Sequence, residues 1–361
     1  MKHLPALILF AFLLFSCKKE NDDFVWERTY GKGTALFIKA TPDSGIISCG
    51  QVGGKPYLLR LATDKSKLVE YSNDGPGFLS SAWCDTSRII AAGSLNGKML
   101  ILCIGRKGNI LWDTTLTTSY KVDIANLVYT GSGEFSALGS ARADTAITGP
   151  TGLLFLNFDS TGNFSFRKDI TDANFLAAND MSADSRGNLY LTVNRKSGSA
   201  KMKASVAGFS GSFQKLWETE LYNNPDFGAS SVTVINDVAG NVYVAGKTEL
   251  TQQSGTVDNS FLASLTSAGT IVWKKYLEPY NTGSALMATT NELVLLNRNC
   301  FFISKADPDD GNVFSRYNIF SSCDQKTTDS FGTGIDTDYR GDMLLAGTRG
   351  GSYFIAVKSL K

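Results

Sequence analysis

Seven times along the chain a short apolar run ends in glycine or asparagine. The runs are GIISCG to Gly50, RIIAAG to Gly93, EFSALG to Gly139, NLYLTVN to Asn194, NVYVAG to Gly246, ELVLLN to Asn297 and DMLLAG to Gly347. Successive spacings are 43, 46, 55, 52, 51 and 50 residues. Around each end the same order recurs: a strand, a turn, the run itself, a third apolar strand such as KMLILCI or GLLFLNF, a second turn, and a fourth strand. Several turns are of the D-x-x-G-N type. Four fourth strands carry an aromatic residue (Trp112, Phe166, Trp217 and Trp273), and Ser315 takes that place in the sixth unit. Helical periodicity is scarce, so the class expected is all-β. Four strands per period of this length fits propeller blades rather than a leucine-rich or helical solenoid.

The two ends of the pattern are out of phase with the repeat. Phe24–Tyr30 (FVWERTY) reads as a fourth strand with Trp26 in the aromatic place, whereas Ser352–Leu360 (SYFIAVKSL) reads as a third. The expectation is one β-propeller over residues 24–361, of seven four-stranded blades, closed by the N-terminal strand in the last blade. Such pairing removes two sheet edges that would otherwise be open to aggregation.

Residues 1–16 form an expected export signal, with Lys2 and His3 ahead of an apolar run from Leu4 to Phe15 that is too short to span a bilayer. Leu14-Phe15-Ser16-Cys17 resembles the lipobox of bacterial lipoproteins. That resemblance implies a diacylglyceryl group on Cys17, cleavage before it and acylation of the new amino terminus, enough chains for stable anchoring. Residues 17–23 then read as a lipidated tether. Its Lys18-Lys19-Glu20 start resembles the surface-export signals of Bacteroidetes lipoproteins, and a plain spacer is the competing account. The expected location is the outer membrane, on its periplasmic or cell-surface side.

Residues Asp237–Leu277 resemble the repeat of the seven-bladed β-propeller (SBBP) family, and weaker units are similar to quinoprotein-like repeats such as those of the outer-membrane assembly scaffold. The resemblance implies a fold and says little about function.

Subtraction narrows the chemistry. His3 is the only histidine, so the mature chain lacks histidine-based nucleophile systems and imidazole metal sites. With Lys2 gone, 34 basic residues face 34 acidic ones, and no basic stripe suggests nucleic acid. No cofactor constellation and no metal set are expected. Asp307–Asn312 has the oxygen-rich composition of a calcium loop but not its spacing, and a tight turn asks for the same residues. Besides Cys17 there are five cysteines, of which Cys300 and Cys323 are a possible disulfide.

Loops expected at one rim are long: Ser140–Gly152, Asn194–Lys203 and Lys247–Ser260. Those of the other rim are minimal. Long polar loops on a rigid scaffold are where binding usually resides, although tolerated insertion explains length equally well. Tyr222, Asn223, Asp226 and Tyr280 are the candidate ligand rim there, because aromatic faces beside amides suit sugar rings. Ordinary inter-blade packing is the alternative. The function expected is a non-catalytic binding or scaffold protein on the envelope, with a glycan or protein ligand. The alternative is a carboxylate-dependent glycan hydrolase or lyase, for which Asp180, Asp336 and Asp338 are the acids near the inner strand ends. The lipid assignment has a direct test. Cys17→Ser should abolish palmitate incorporation and move the protein from the membrane to the soluble fraction; retention of label in the variant would overturn it.

Overall fold

A computed structural model of the protein describes residues 24–131, 133–140, 152–171, 175–196, 202–222, 229–252, 255–277, 283–297, 301–320 and 330–359. Regular structure among them is strand throughout. The first unit comprises β1 (Phe24–Ala40), β2 (Ile46–Val52), β3 (Lys55–Leu61) and β4 (Lys67–Ser72). A second holds β5 (Gly77–Cys84), β6 (Arg88–Leu95), β7 (Lys98–Gly105) and β8 (Ile110–Leu116). The third is β9 (Ile124–Gly131), β10 (Glu134–Ser140), β11 (Gly152–Asp159) and β12 (Phe164–Thr171). The fourth has five pieces, β13 (Phe175–Ala177), β14 (Met181–Ala183), β15 (Leu189–Lys196), β16 (Met202–Phe209) and β17 (Lys215–Glu220). Then come β18 (Ala229–Asn236), β19 (Val242–Gln252), β20 (Gly255–Leu265) and β21 (Ile271–Leu277). The sixth is β22 (Gly283–Ala288), β23 (Leu293–Asn297), β24 (Phe302–Ala306) and β25 (Val313–Asn318). The last strands are β26 (Phe331–Thr337), β27 (Met343–Arg349) and β28 (Ser352–Lys358).

Pairing within each unit is antiparallel between neighbours in sequence, except that β13 and β14 both pair with β15, an all-β arrangement compatible with a β-propeller. One sheet is longer: its order is β26-β27-β28-β1-β2-β3-β4. The first half of β1 pairs with β28, from Phe24↔Lys358 to Lys32↔Ser352, and the second half with β2, from Gly33↔Val52 to Ala40↔Ile46. The N-terminal strand thus joins the sheet of the last strands, as its phase implied.

The middle strands are buried on both faces, and their sequences are accordingly continuous apolar runs. In β7 every residue after Lys98 is buried, whereas the outer β8 and β25 alternate. Apolar clusters lie between successive sheets. Ile90 and Met99 of the second unit pack with Phe135 and Leu154 of the third, and Leu59 of the first packs with Leu344 and Ile355 of the last.

Neighbouring units are also pinned at one edge by tryptophan. Trp112 Nε1 donates to the Ser160 carbonyl (3.3 Å), Trp217 to Ser267 (2.9 Å) and Trp273 to Pro308 (3.0 Å). Each indole lies on the glycine of that same neighbouring turn, Gly162, Gly269 or Gly311, at φ +89°, +83° and +73°. A Cβ on Gly269 would sit 2.5 Å from the Trp217 ring. The calcium-like composition of Asp307–Asn312 therefore serves a turn. Its Asp307 and Asp310 carboxylates accept from the Asp309 and Asn312 amides, and its Pro308 carbonyl holds Trp273.

These contacts set the turns between first and second strands, and between third and fourth, along one common rim. The second-to-third connections lie at the other. One expected loop of that second rim is largely strand: Lys247–Ser260 is a β-hairpin, paired from Lys247↔Ser260 to Gln252↔Gly255. Much of Ser140–Gly152 and the centre of Asn194–Lys203 lie outside the described residues. Gly93 gives a measure of how tightly strands are set. A Cβ there would meet the Phe78 carbonyl oxygen at 2.0 Å, so Gly93→Ala should destabilise by about 3 kcal/mol or more. Gly54→Ala, at φ +76° but facing open space, should cost about 1 kcal/mol. Thermal or urea unfolding of the two variants checks the difference.

Candidate functional site

The close approach at Gly93 has a cause in the strand beside it. In β5 the register slips by one between Leu79 and Ser81, leaving Ser80 as a β-bulge. The same slip falls at Leu36 in β1, Val232 in β18, Ser284 in β22 and Thr333 in β26. Each bulge sits beside a repeat-end residue: Gly50 faces Ala35, Gly93 faces Leu79, Gly246 faces Ser231, Asn297 faces Gly283 and Gly347 faces Gly332. A Cβ at Gly50 or Gly347 would lie 2.0 or 2.1 Å from the carbonyl oxygen of Thr34 or Phe331. In the sixth unit the glycine of this pair is on the partner strand, as Gly283, where a Cβ would meet the Leu295 side chain at 3.0 Å rather than a carbonyl oxygen. At Gly50, Gly93 and Gly347 the repeated glycine is thus the space into which the bulged strand presses its backbone, whereas Gly139 faces Ala125 in regular register.

An extra residue turns one more side chain to the strand's inner face. Leu36, Ser80, Val232, Ser284 and Thr333 all line a single cavity of about 1280 Å³. Most of its wall is contributed by β1, β5, β9, β14, β18, β22 and β26, in the first-strand places of the units, with Gln51, Asn194, Met202 and Lys247 added from second and third strands. Apolar and polar groups alternate around it. Phe37, Trp83, Tyr129 and Leu286 stand among Asn126, Asn179, Asn236 and Thr233, with Lys39, Lys247, Asp123, Asp180 and Asp336 as its charges. Trp83 and Tyr129 stack at 5.1 Å between centroids.

Side chains tie these strands sideways to one another. Ser81 Oγ donates to the Leu127 carbonyl (3.1 Å), and Asn126 Nδ2 to that of Asn179 (3.1 Å). Ser80 donates to Ala125, Thr333 to Ala35 and Ser182 to the Asn236 amide oxygen. Two acids do the same in reverse. Asp180 Oδ2 accepts from Thr233 Oγ1 (2.7 Å) and Val234 N (3.0 Å), and its Oδ1 from Met181 N (2.9 Å). Asp336 Oδ2 accepts from Ala40 N (2.9 Å).

Asp180 occupies the break between β13 and β14. There the Thr192 hydroxyl, rather than a strand carbonyl, receives the amides of Asn179 (3.0 Å) and Asp180 (2.9 Å). Burial pushes the Asp180 carboxyl up to about 6, against the three hydrogen bonds that favour its charge. Asp336 is also raised, first by burial, with the Ala40 amide and then the Lys39 charge pulling it back.

Of the acids singled out in the sequence, Asp180 and Asp336 reach the cavity. Asp338 does not: its Oδ1 caps its own turn, accepting from Arg340 N (2.8 Å) and Asp342 N (3.0 Å). Tyr222 is buried, edge-on to Tyr276 at 6.1 Å, with Lys274 Nζ 5.9 Å from its ring centre. Asn223, Asp226 and Tyr280 lie outside the described residues, as do Cys300 and Cys323. Cys49, Cys84 and Cys103 are buried free thiols, and burial raises all three. Sequence reasoning did not find the bulge side chains, although the repeated glycine marked their place. In comparisons with known proteins, no family model matches the chain and no curated protein matches it.

The raised Asp180 carboxyl makes stability depend on pH. Between about pH 4 and 6 the folded state keeps a proton that the unfolded chain, with its ordinary value of 3.8, has released. Stability therefore falls as pH rises through that window, by at most about 3 kcal/mol for this group. Asp180→Asn should flatten the pH 4–6 part of the unfolding profile, leaving a contribution of the same sign from Asp336. An unchanged slope would show that Asp180 titrates normally.

Proposed function

We propose that this protein is a lipid-anchored bacterial envelope protein, built as one seven-bladed β-propeller, that binds a ligand without transforming it. In this reading the sheets are blades around the cavity. The first half of β1 completes the last blade and its second half opens the first, which accounts for the seven-stranded sheet. The partner is a glycan or an envelope protein, taken from the rim of long loops. Anchoring follows from the resemblance of residues 14–17 to a lipobox.

The observation that carries binding is the cavity itself, whose volume exceeds that of most ligand pockets and whose wall mixes apolar faces with amides and hydroxyls. Its strand-to-strand ties hold the wall rigid, and rigidity lowers the cost of ordering on binding.

One feature favours the alternative, a carboxylate-dependent hydrolase or lyase: a carboxyl pushed up to about 6 is poised for acid–base work. The hydrogen bonds of Asp180 argue the other way, because both its oxygens are committed to Thr233, Val234 and Met181. Asp336 is likewise bound to a backbone amide.

The test is a glycan array and an envelope pull-down with the protein and with Val232→Trp. Val232 is a bulge residue facing the cavity, so the larger side chain fills open space rather than core. Binding should fall at least tenfold while the melting temperature changes little. Undiminished binding by a folded Val232→Trp would move the site elsewhere. Glycan turnover abolished by Asp180→Asn would establish the enzyme reading instead.

A further inference from the structure

Between the first and second units lies a second, smaller chamber of about 300 Å³. Lys39, Thr41, Pro42, Ile47, Ala82 and Cys84 line it, and Lys39 and Ala82 belong to the wall of the central cavity as well. The chamber is at the lower end of ligand-pocket volumes and far larger than one water needs. Its surroundings are mostly apolar, because Ile47, Ala82 and Cys84 are part of the cluster packed between the two sheets.

Two cations interrupt that layer. Lys39 pairs with Ile47 across β1 and β2, and Ile47 with Arg60 across β2 and β3, so the three side chains share one sheet face. Lys39 is exposed, and its ammonium has no ion-pair or hydrogen-bond partner among the described residues. Arg60 is the reverse case, only 1% exposed. Its Nη2 donates to Asp43 Oδ2 (2.8 Å), while Nε and Nη1 meet no acceptor among the described residues. Buried donors are nearly always satisfied, so two orphans on one guanidinium call for an explanation.

The guanidinium runs along the back of the chamber. Asp43, which it reaches, follows the wall residues Thr41 and Pro42 in the β1–β2 turn, and Thr41 Oγ1 donates to the same carboxylate. On the facing strand, burial pushes the Cys84 thiol up to about 11, and Arg60 is the foremost charge pulling it back. The nearby acids are already engaged. Asp43 holds Arg60 and Thr41, Asp85 holds Arg88 and the Ser87 amide, and Asp336 holds the Ala40 amide. Lys39 is left as the uncompensated charge of the chamber, and Arg60 reinforces it through an apolar wall that screens little.

We propose that this chamber binds a carboxylate with a small apolar body, its oxygens on the Lys39 ammonium and its carbons against Pro42, Ile47, Ala82 and Cys84. A phosphate would ask for several convergent donors, and here there is one ammonium. The carboxylate is that of a free short-chain acid or of an acidic sugar whose other rings occupy the central cavity, reached past the shared Lys39 and Ala82. The site stands whatever the central cavity takes.

Methyl NMR on the full-length protein tests it, with sodium butyrate at pH 7 as the probe. Butyrate should shift the Ile47 methyl and leave that of Ile235, in the central cavity wall, unmoved. Uncharged 1-butanol should bind at least tenfold more weakly. Lys39→Met, which keeps the stem and removes the charge, should weaken butyrate at least tenfold with little change in melting temperature. Val232→Trp, which fills only the central cavity, should bind butyrate as before. Glucuronate and its oligomers separate the two sources. Binding at least tenfold tighter than butyrate, with Ile47 and Ile235 shifting together and affinity lost in Val232→Trp, makes the carboxylate a saccharide's. Weaker binding than butyrate makes it a free acid's. Butanol binding as well as butyrate, or an Ile47 methyl that neither acid moves, overturns the carboxylate site.

Discussion

The structure depends on a contact between two backbones. Where an inner strand carries its bulge, its carbonyl oxygen presses to within about 2 Å of the position a Cβ would take on Gly50, Gly93 or Gly347. No side chain fits at those three positions, and those runs end in glycine. Bulges sharpen local twist and re-aim a side chain. Five of them at one level turn Leu36, Ser80, Val232, Ser284 and Thr333 into one cavity. In those units the glycine that marks the repeat and the bulge that lines the cavity belong to one contact.

Between units the same economy recurs at the other edge. The fourth-strand indoles of Trp112, Trp217 and Trp273 use the missing Cβ of a turn glycine to lie flat on the neighbour, and spend their one donor on a carbonyl of that turn. Buried indole N–H groups need such a partner. Along the cavity the ties are hydroxyls, amides and the two acids Asp180 and Asp336. Adjacent sheets are thereby fastened at both their inner and outer margins, with an apolar cluster between. β1 adds a further tie by hydrogen-bonding β28 with one half and β2 with the other.

The acids illustrate why residue type alone misleads about chemistry. Asp180, Asp336 and Asp338 are equally placed in the sequence, near inner strand ends. Burial raises the first two, whereas Asp338 caps a turn. A raised carboxyl in a cavity is a functional candidate by its pKa alone, yet structural networks shift pKa values as well. Here the bonds to strands of the next unit favour the structural role. The proposed division of labour follows: a rigid cavity for a ligand and a loop rim for its approach.

The sequence alone determined the four-strand unit, its period, the all-β class and the odd phase of the first strand, because strand burial and turn chemistry are local and repeat with the residues that cause them. It also marked the recurrent aromatic of the fourth strands. The cavity wall was decided only in three dimensions. A strand's side chains alternate, so one bulge flips which residues face inward, and nothing in SSAWC or TVIND announces where that slip falls until Gly93 or Gly246 is paired with it. The Asp180 environment is likewise tertiary, since its partners Thr233 and Val234 are 53 and 54 residues away. Tyr222 reads in sequence as a rim aromatic or a packing residue, and only the apolar cluster it joins with Val206, Val244 and Phe261 buries it.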